Sequence, residues 1–137
     1  MDRDALRAWV DAYERAWRAP GVDALDALFT EDATYSTAPF EPPFRGLAAI
    51  REMWAAERSP GEEFTTVAEI IALEGDTGVV RVEVRYTRPR EQRYRDLWIV
   101  RLAPDGRCRA FEEWPFWPPG SGGGFGAGPA GGDPAGR

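Results

Sequence analysis

Histidine is absent from all 137 residues, every one of the 17 basic residues is an arginine, and Cys108 is the single cysteine. Without histidine the chain lacks the commonest general base and the commonest metal ligand. Ser-His and Cys-His nucleophile pairs are excluded, and a metal site would have to be built from carboxylates alone, so none is expected. One cysteine can form neither a disulfide within the chain nor a thiolate cluster. A long apolar run is also missing. The opening stretch "MDRDALRAWV" is charged and amphipathic, which reads as neither a signal peptide nor a membrane span, and a cytoplasmic protein without a membrane partner is expected. The glycines gather near the C-terminus, away from any junction of strand and helix, so no phosphate-cradling loop and no cofactor are implied. A net charge of −6 argues against a nucleic-acid partner.

Large rings are abundant. All 6 Trp and all 4 Tyr precede residue 118, which is the investment expected of a tight core or an apolar pocket. From Pro118 onward the chain is mostly Gly, Pro and Ala, too poor in apolar surface to offset its ordering entropy. The expected organisation is one domain over residues 2–117 and a disordered tail over 118–137. Leu6, Trp9, Val10, Tyr13 and Trp17 recur at helical spacing over residues 4–18. "APG" breaks that helix, and Val22, Leu25, Leu28 and Phe29 mark a short second one. A brief strand is expected at 32–37. After the proline-rich loop and Gly46, the set Leu47, Ile50, Met53 and Trp54 marks a third helix. The period then changes to two: residues 64–73, 79–88, 92–102 and 107–117 are rich in β-branched and aromatic residues, with turn-like "EGDTG", "RPREQ" and "APDG" between them. Three helices followed by an antiparallel meander predict an α+β fold with helices packed on one face of a curved sheet.

The same order, with "LFTEDATY", "PPFRGLAAIREMW" and "DGRCRAFEEW", resembles the nuclear transport factor 2-like superfamily, which includes SnoaL-like polyketide cyclases and ketosteroid isomerases. The resemblance covers residues 5–117. It implies a cone-shaped α+β barrel around an apolar pocket, and a homodimer formed through the outer sheet face. Laid against the isomerase pattern, Tyr13 falls where the oxyanion-holding tyrosine stands, Thr37 where the carboxylate base stands, and Trp98 where the second, acidic oxyanion donor stands. A threonine hydroxyl is too weak a base to take a carbon-bound proton unaided, so the usual isomerase mechanism is not expected. Dehydratases of this superfamily that rely on histidine are excluded as well. The Asp-Arg-Asp set of its limonene epoxide hydrolases finds no convincing match.

Alternation places Val80, Val82, Val84 and Tyr86 on one face, and Arg81, Glu83 and Arg85 on the other, which is read as the outer face. Asp96, Trp98, Val100 and Leu102 share a face, which the resemblance points into the pocket. A four-residue loop pairing Leu102 with Arg107 sets Trp98 across from Phe111 and Asp96 across from Glu113. Two carboxylates that close disfavour double ionisation, and one of them then serves as acid and the other as base. A one-residue slip instead brings Cys108, Ala110, Glu112 and Trp114 inward, a more apolar set. A plainer reading has Asp96 paired with Arg95 or Arg109 near the sheet rim.

The expected site therefore comprises Asp96, Tyr13 and Glu113 as candidate catalytic groups. Trp17, Tyr35, Thr37, Phe40, Phe44, Trp54, Val82, Tyr86, Trp98 and Phe111 form its wall, with Pro39, Pro42 and Pro43 stiffening "YSTAPFEPPFRG" so that Phe40 and Phe44 face the cavity mouth. The preferred function is binding of a small, moderately apolar molecule. The alternatives are a cofactor-free isomerase, cyclase or dehydratase, and a protein-interaction module whose pocket is filled by its own side chains.

Overall fold

The first helix, α1, spans Arg3–Arg18 and is capped by Asp2, whose carboxylate accepts from the Ala5 amide at 2.8 Å. This comes from a computed structural model, which describes residues 1–58 and 61–120. The tail expected from residue 118 lies outside the described residues from 121 on. α1 buries Leu6, Trp9, Val10, Tyr13 and Ala16, the face set by the apolar spacing. Its C-terminal end is tied down by Arg58, which donates to the carbonyls of Ala16, Trp17, Ala19 and Gly21. A cation at this end also opposes the negative end of the helix dipole.

The second helix, α2, is one turn, Leu25–Leu28, shorter than the apolar spacing suggested. Val22 precedes it, and Phe29 already belongs to β1, Phe29–Ser36, because its extended backbone lets its ring reach the core. β2 is the pair Phe44–Arg45. Gly46, at φ +91°, then turns the chain into α3, Leu47–Glu57, as expected of a residue without a Cβ. Four long strands follow: β3 Glu63–Glu74, β4 Thr77–Arg88, β5 Gln92–Leu102 and β6 Cys108–Phe116.

The six strands form one curved sheet in the order β2-β1-β6-β5-β4-β3, which does not close on itself. The meander from β3 to β6 is antiparallel, as expected. Against the expectation of a wholly antiparallel sheet, β1 runs parallel to β6, because the chain crosses from the helical half to the far side of the meander before returning beside it. The helices cover the face bearing Val80, Val82 and Val84, while Arg81 and Arg85 lie exposed on the other. The fit between α1 and the sheet depends on Gly78, where an added Cβ would lie 2.4 Å from Leu6 Cδ2.

The register of β5 on β6 corrects the sequence reading. Trp98 is paired with Glu113, Asp96 with Pro115 and Val100 with Phe111, two residues away from the expected pairing. A slide of two preserves the faces, so Glu113 stays on the pocket side with Trp98. An irregularity at Arg101/Leu102 then pairs Leu102 with Cys108, which is also buried. A bulge thus turns both Cys108 and Phe111 inward, residues that strict alternation would have placed on opposite faces.

Candidate functional site

All four tyrosines of the chain belong to the inner side of the cone. Tyr13 comes from α1, Tyr35 from β1, and Tyr86 and Tyr94 from the inward rows of β4 and β5. Tyr13 and Tyr35 are joined hydroxyl to hydroxyl at 2.6 Å. The Tyr35 hydroxyl in turn donates to Glu113 Oε1 at 3.3 Å. A phenol has one proton, so when Tyr35 donates to Glu113 the short contact carries the proton of Tyr13. The result is a directed chain, Tyr13 to Tyr35 to Glu113, from the buried wall to a half-buried carboxylate. Burial first, and the charge of Glu113 next, hold the Tyr13 hydroxyl well above the ordinary tyrosine range. Tyr35 is pushed up mainly by burial, then by Tyr13 and Glu113. Asp96 raises both as well, which sets both carboxylates within electrostatic reach of the tyrosine pair.

Asp96 is the buried charged residue among the described residues, 3% exposed, and accepts from Trp98 Nε1 at 3.0 Å. It lies beside Val82 on β4 and Pro115 on β6 rather than across from Glu113. The arginines considered for it are engaged elsewhere: Arg95 with Glu83 and Arg109 with Asp76. Trp98 fills the position that the resemblance gives to a second acid. Its ring packs on Tyr13, with centroids 4.6 Å apart, and its one polar hydrogen is turned to Asp96.

At the depth of Tyr13 the cone is filled by its own rings. Trp9, Tyr13, Phe29, Tyr35, Trp98 and Phe111 each expose 4% or less. Val82, expected in the wall, is likewise fully buried. Toward the C-terminal end of α1 the packing loosens. Trp17, Phe64, Tyr86 and Tyr94 are only half-buried, and Trp117 stacks on Tyr94 at 4.7 Å. Trp17 contacts Phe64 at 4.5 Å, and Phe64 contacts Tyr86 at 5.2 Å, so these rings form a rim at one end of the sheet. An open cleft of about 800 Å³ lies outside it, between the end of α1 and the start of β3, with Trp17 and Phe64 in its wall.

The proline loop takes a different place from the one expected. Phe40 is 98% exposed and adds nothing to an apolar wall. It follows β1 on a loop that leaves the sheet, so its ring has no neighbour to pack against. Phe44 lies opposite Tyr35 on the same sheet face, but on the edge strand, where over a third of it meets solvent. Thr37 is half-buried one residue beyond β1. Phe64, Tyr94 and Trp117 escaped the sequence reading as site residues. Alternation already put Tyr94 on the face of Asp96, whereas Trp117 follows the end of β6, where alternation assigns no face. Among the described residues no three His, Cys, Asp or Glu side chains gather to hold a metal ion, and no helix is long and apolar enough to cross a membrane.

This architecture of helices on an open, curved mixed sheet is that of a nuclear transport factor 2-like cone. The family model of the SnoaL-like domain matches residues 6–111, and the chain belongs to that family. Among solved structures it is similar to the epoxide hydrolase/cyclase-like enzyme SalBIII, of pyran ring formation in the polyether salinomycin, at 23% identity and TM-score 0.65, covering 85% of this chain and 93% of that one. It is also similar to an LEH-like epoxide hydrolase from M. tuberculosis, at 18% identity and TM-score 0.65, covering 82% of each chain. A steroid delta-isomerase from Pseudomonas aeruginosa gives 19% identity and TM-score 0.62, covering 85% of this chain and 82% of that one. At these identities the likeness is one of fold. No curated protein matches the sequence.

Proposed function

We propose that the open end of the cone binds a small, moderately apolar molecule. The observation that carries this reading is the joining of an aromatic rim to a polar chain: half-buried Trp17, Phe64, Tyr86, Tyr94 and Trp117 surround an end of the sheet where Glu113 is reachable and is tied to two buried tyrosines. Apolar walls with a few convergent polar groups are the usual make-up of a small-molecule site. The filled interior around Tyr13 limits the site to the rim and the adjoining cleft. A thermal-shift screen of aromatic ketones, steroids and polyketide-like compounds tests it. A ligand present at about 100 times its dissociation constant stabilises the fold by about 2.7 kcal/mol. A panel that leaves the melting temperature unmoved overturns the reading in favour of an interaction module with a self-filled cone.

A second reading is cofactor-free acid/base catalysis, favoured by the directed chain from Tyr13 to Glu113. Glu113 takes a proton from a carbon beside a carbonyl and returns it elsewhere, its carboxylate positioned by the Tyr35 hydroxyl. Half exposure favours Glu113 over the fully buried Asp96 for this task. The neighbours described as cyclase, hydrolase and isomerase make such chemistry the first to assay. Turnover that survives Glu113→Gln within about tenfold rules the role out, since losing a general base lowers rates by about a hundredfold or more.

We also propose a second copy of the chain as partner of the outer sheet face. No helix covers that face among the described residues, and Leu97 pairs with Trp114 on it, with Phe116 52% and Val67 68% exposed nearby. Sedimentation at micromolar concentration tests it: a monomer throughout rejects this partner, and a dimer dispersed by Trp114→Arg supports it.

A further inference from the structure

β3 is the last strand of the sheet, so one row of its backbone N–H and C=O groups has no neighbouring strand. It is also the kind of edge that invites pairing: it runs for 12 residues, and Val67 and Ile71 stand exposed on its outer side. The opposite edge is β2, which at two residues is too short to template another strand. Along β3, side chains of α1 supply what a strand would. Arg3 donates to the Ile70 carbonyl at 3.1 Å, Arg7 to the Ala68 carbonyl at 3.2 Å and Arg18 to the Phe64 carbonyl at 3.4 Å. Between them the Thr66 hydroxyl donates to Glu14 Oε2 at 2.5 Å and accepts from Arg18. Residues 64, 66, 68 and 70 have one parity in a regular stretch of ladder, so their carbonyls point to one side of the strand, the side on which the arginines reach them. At 3.6 residues per turn, positions 3, 7, 14 and 18 fall within about 60° of one another, one stripe of α1 beside its apolar face. The stripe runs antiparallel to β3 and matches it in length: about 22 Å from 3 to 18 in the helix, and about 20 Å from 64 to 70 in the strand.

We propose that Arg3, Arg7 and Arg18 guard this edge against a second copy of the chain, whose own β3 would otherwise pair with it. The partner is a second copy because the edge fits itself. A two-fold antiparallel pairing about Ala68 sets Val67 beside Glu69 and Thr65 beside Ile71, with no carboxylate opposite another over the regular stretch. Strand addition would use the same carbonyls that the guanidinium groups hold, so the two arrangements exclude each other. This contact lies in the plane of the sheet and is distinct from a pairing of outer faces.

Sedimentation and amide exchange of Arg3→Ala/Arg7→Ala test the guard, in Trp114→Arg protein so that outer faces do not contribute. Arg18 is left in place because it also stands in the wall of the cleft. Loss of two arginines makes a chain of net charge −6 more acidic, so unspecific repulsion works against association. The double variant should nonetheless self-associate about tenfold more tightly than its parent, the change that one net hydrogen bond of about 1.4 kcal/mol gives. As it does, the amides of Thr66, Ala68 and Ile70 should gain protection. Adding Ala68→Pro, which removes an amide from the free side of the edge, should restore the parent's behaviour. Where the proline variant fails to fold, Val67→Lys serves instead, because a lysine on an edge strand opposes pairing. Tyr35→Phe, destabilised in the core with its arginines intact, controls for lost stability and should not gain the contact. The proposal is overturned by a folded double variant that associates no more than its parent, by association that leaves the β3 amides unprotected or survives both rescues, or by equal association of Tyr35→Phe.

Discussion

The hydroxyl oxygens of Tyr13 and Tyr35 lie 2.6 Å apart inside the core, and the second of them reaches Glu113. Three residues from α1, β1 and β6 thereby share two hydrogen bonds, and removing the middle hydroxyl breaks both. Tyr35→Phe should destabilise the fold by about 1–3 kcal/mol, the range for stranding buried polar groups. Tyr13→Phe should be milder, because it removes only the terminal donor. Urea unfolding of the two variants checks the order; equal or reversed losses would show that the chain is not organised around Tyr35.

The four tyrosines also set an alkaline limit. Tyr13, Tyr35 and Tyr94 are held well above the ordinary value of 10.0, mainly by burial, and Tyr86 is raised for the same leading reason. A folded-state value above the unfolded one means that the protonated form is favoured in the fold. Its stabilising share is complete below the unfolded value and is lost as pH rises toward the folded one. Ultraviolet titration should therefore show no phenolate signal as pH passes 10, then a cooperative rise that coincides with loss of ellipticity. Separate, reversible tyrosine steps in the folded protein would contradict this.

Cys108 should behave as a buried thiol. Burial pushes it to about 12, against the partial relief of the Ala110 and Arg101 backbone contacts. Native protein at neutral pH should resist thiol reagents and react at full rate only once denatured, because the thiolate is the reacting form. Rapid labelling of the folded chain would refute the assigned burial.

Gly78→Ala tests the seat of α1 on the sheet. The added methyl would lie 2.4 Å from Leu6 Cδ2, the tip of a fully buried side chain that must shift within the core to make room. Overpacking of this kind destabilises by about 1–3 kcal/mol. Adding Leu6→Val should recover part of the loss, a coupling that independent sites do not show.

Arg58→Ala should lower stability by about 1–3 kcal/mol, since a charged donor then leaves the carbonyls of Ala16, Trp17, Ala19 and Gly21. Lysine at this position should restore little of it, because an ammonium cannot match the planar fork that spans several acceptors. Full rescue by Arg58→Lys would reduce the role to charge alone.

Amphipathic spacing determined much by itself. The buried face of α1, the two faces of β4 and the turn at Gly46 follow from residue period and from glycine's lack of a Cβ, which are local properties. The motifs around "LFTEDATY" and "PPFRG" were enough for the family. Only the tertiary structure decided the rest. A period of two fixes which face a residue occupies but not its neighbour across the ladder, so Asp96 and Glu113 kept their face and lost their pairing. The bulge that turns both Cys108 and Phe111 inward breaks the alternation that would have sorted them. The parallel contact of β1 with β6 brings Tyr35 to Glu113 across 78 positions of chain, a juxtaposition set by where the strands meet and by nothing in the sequence near either residue.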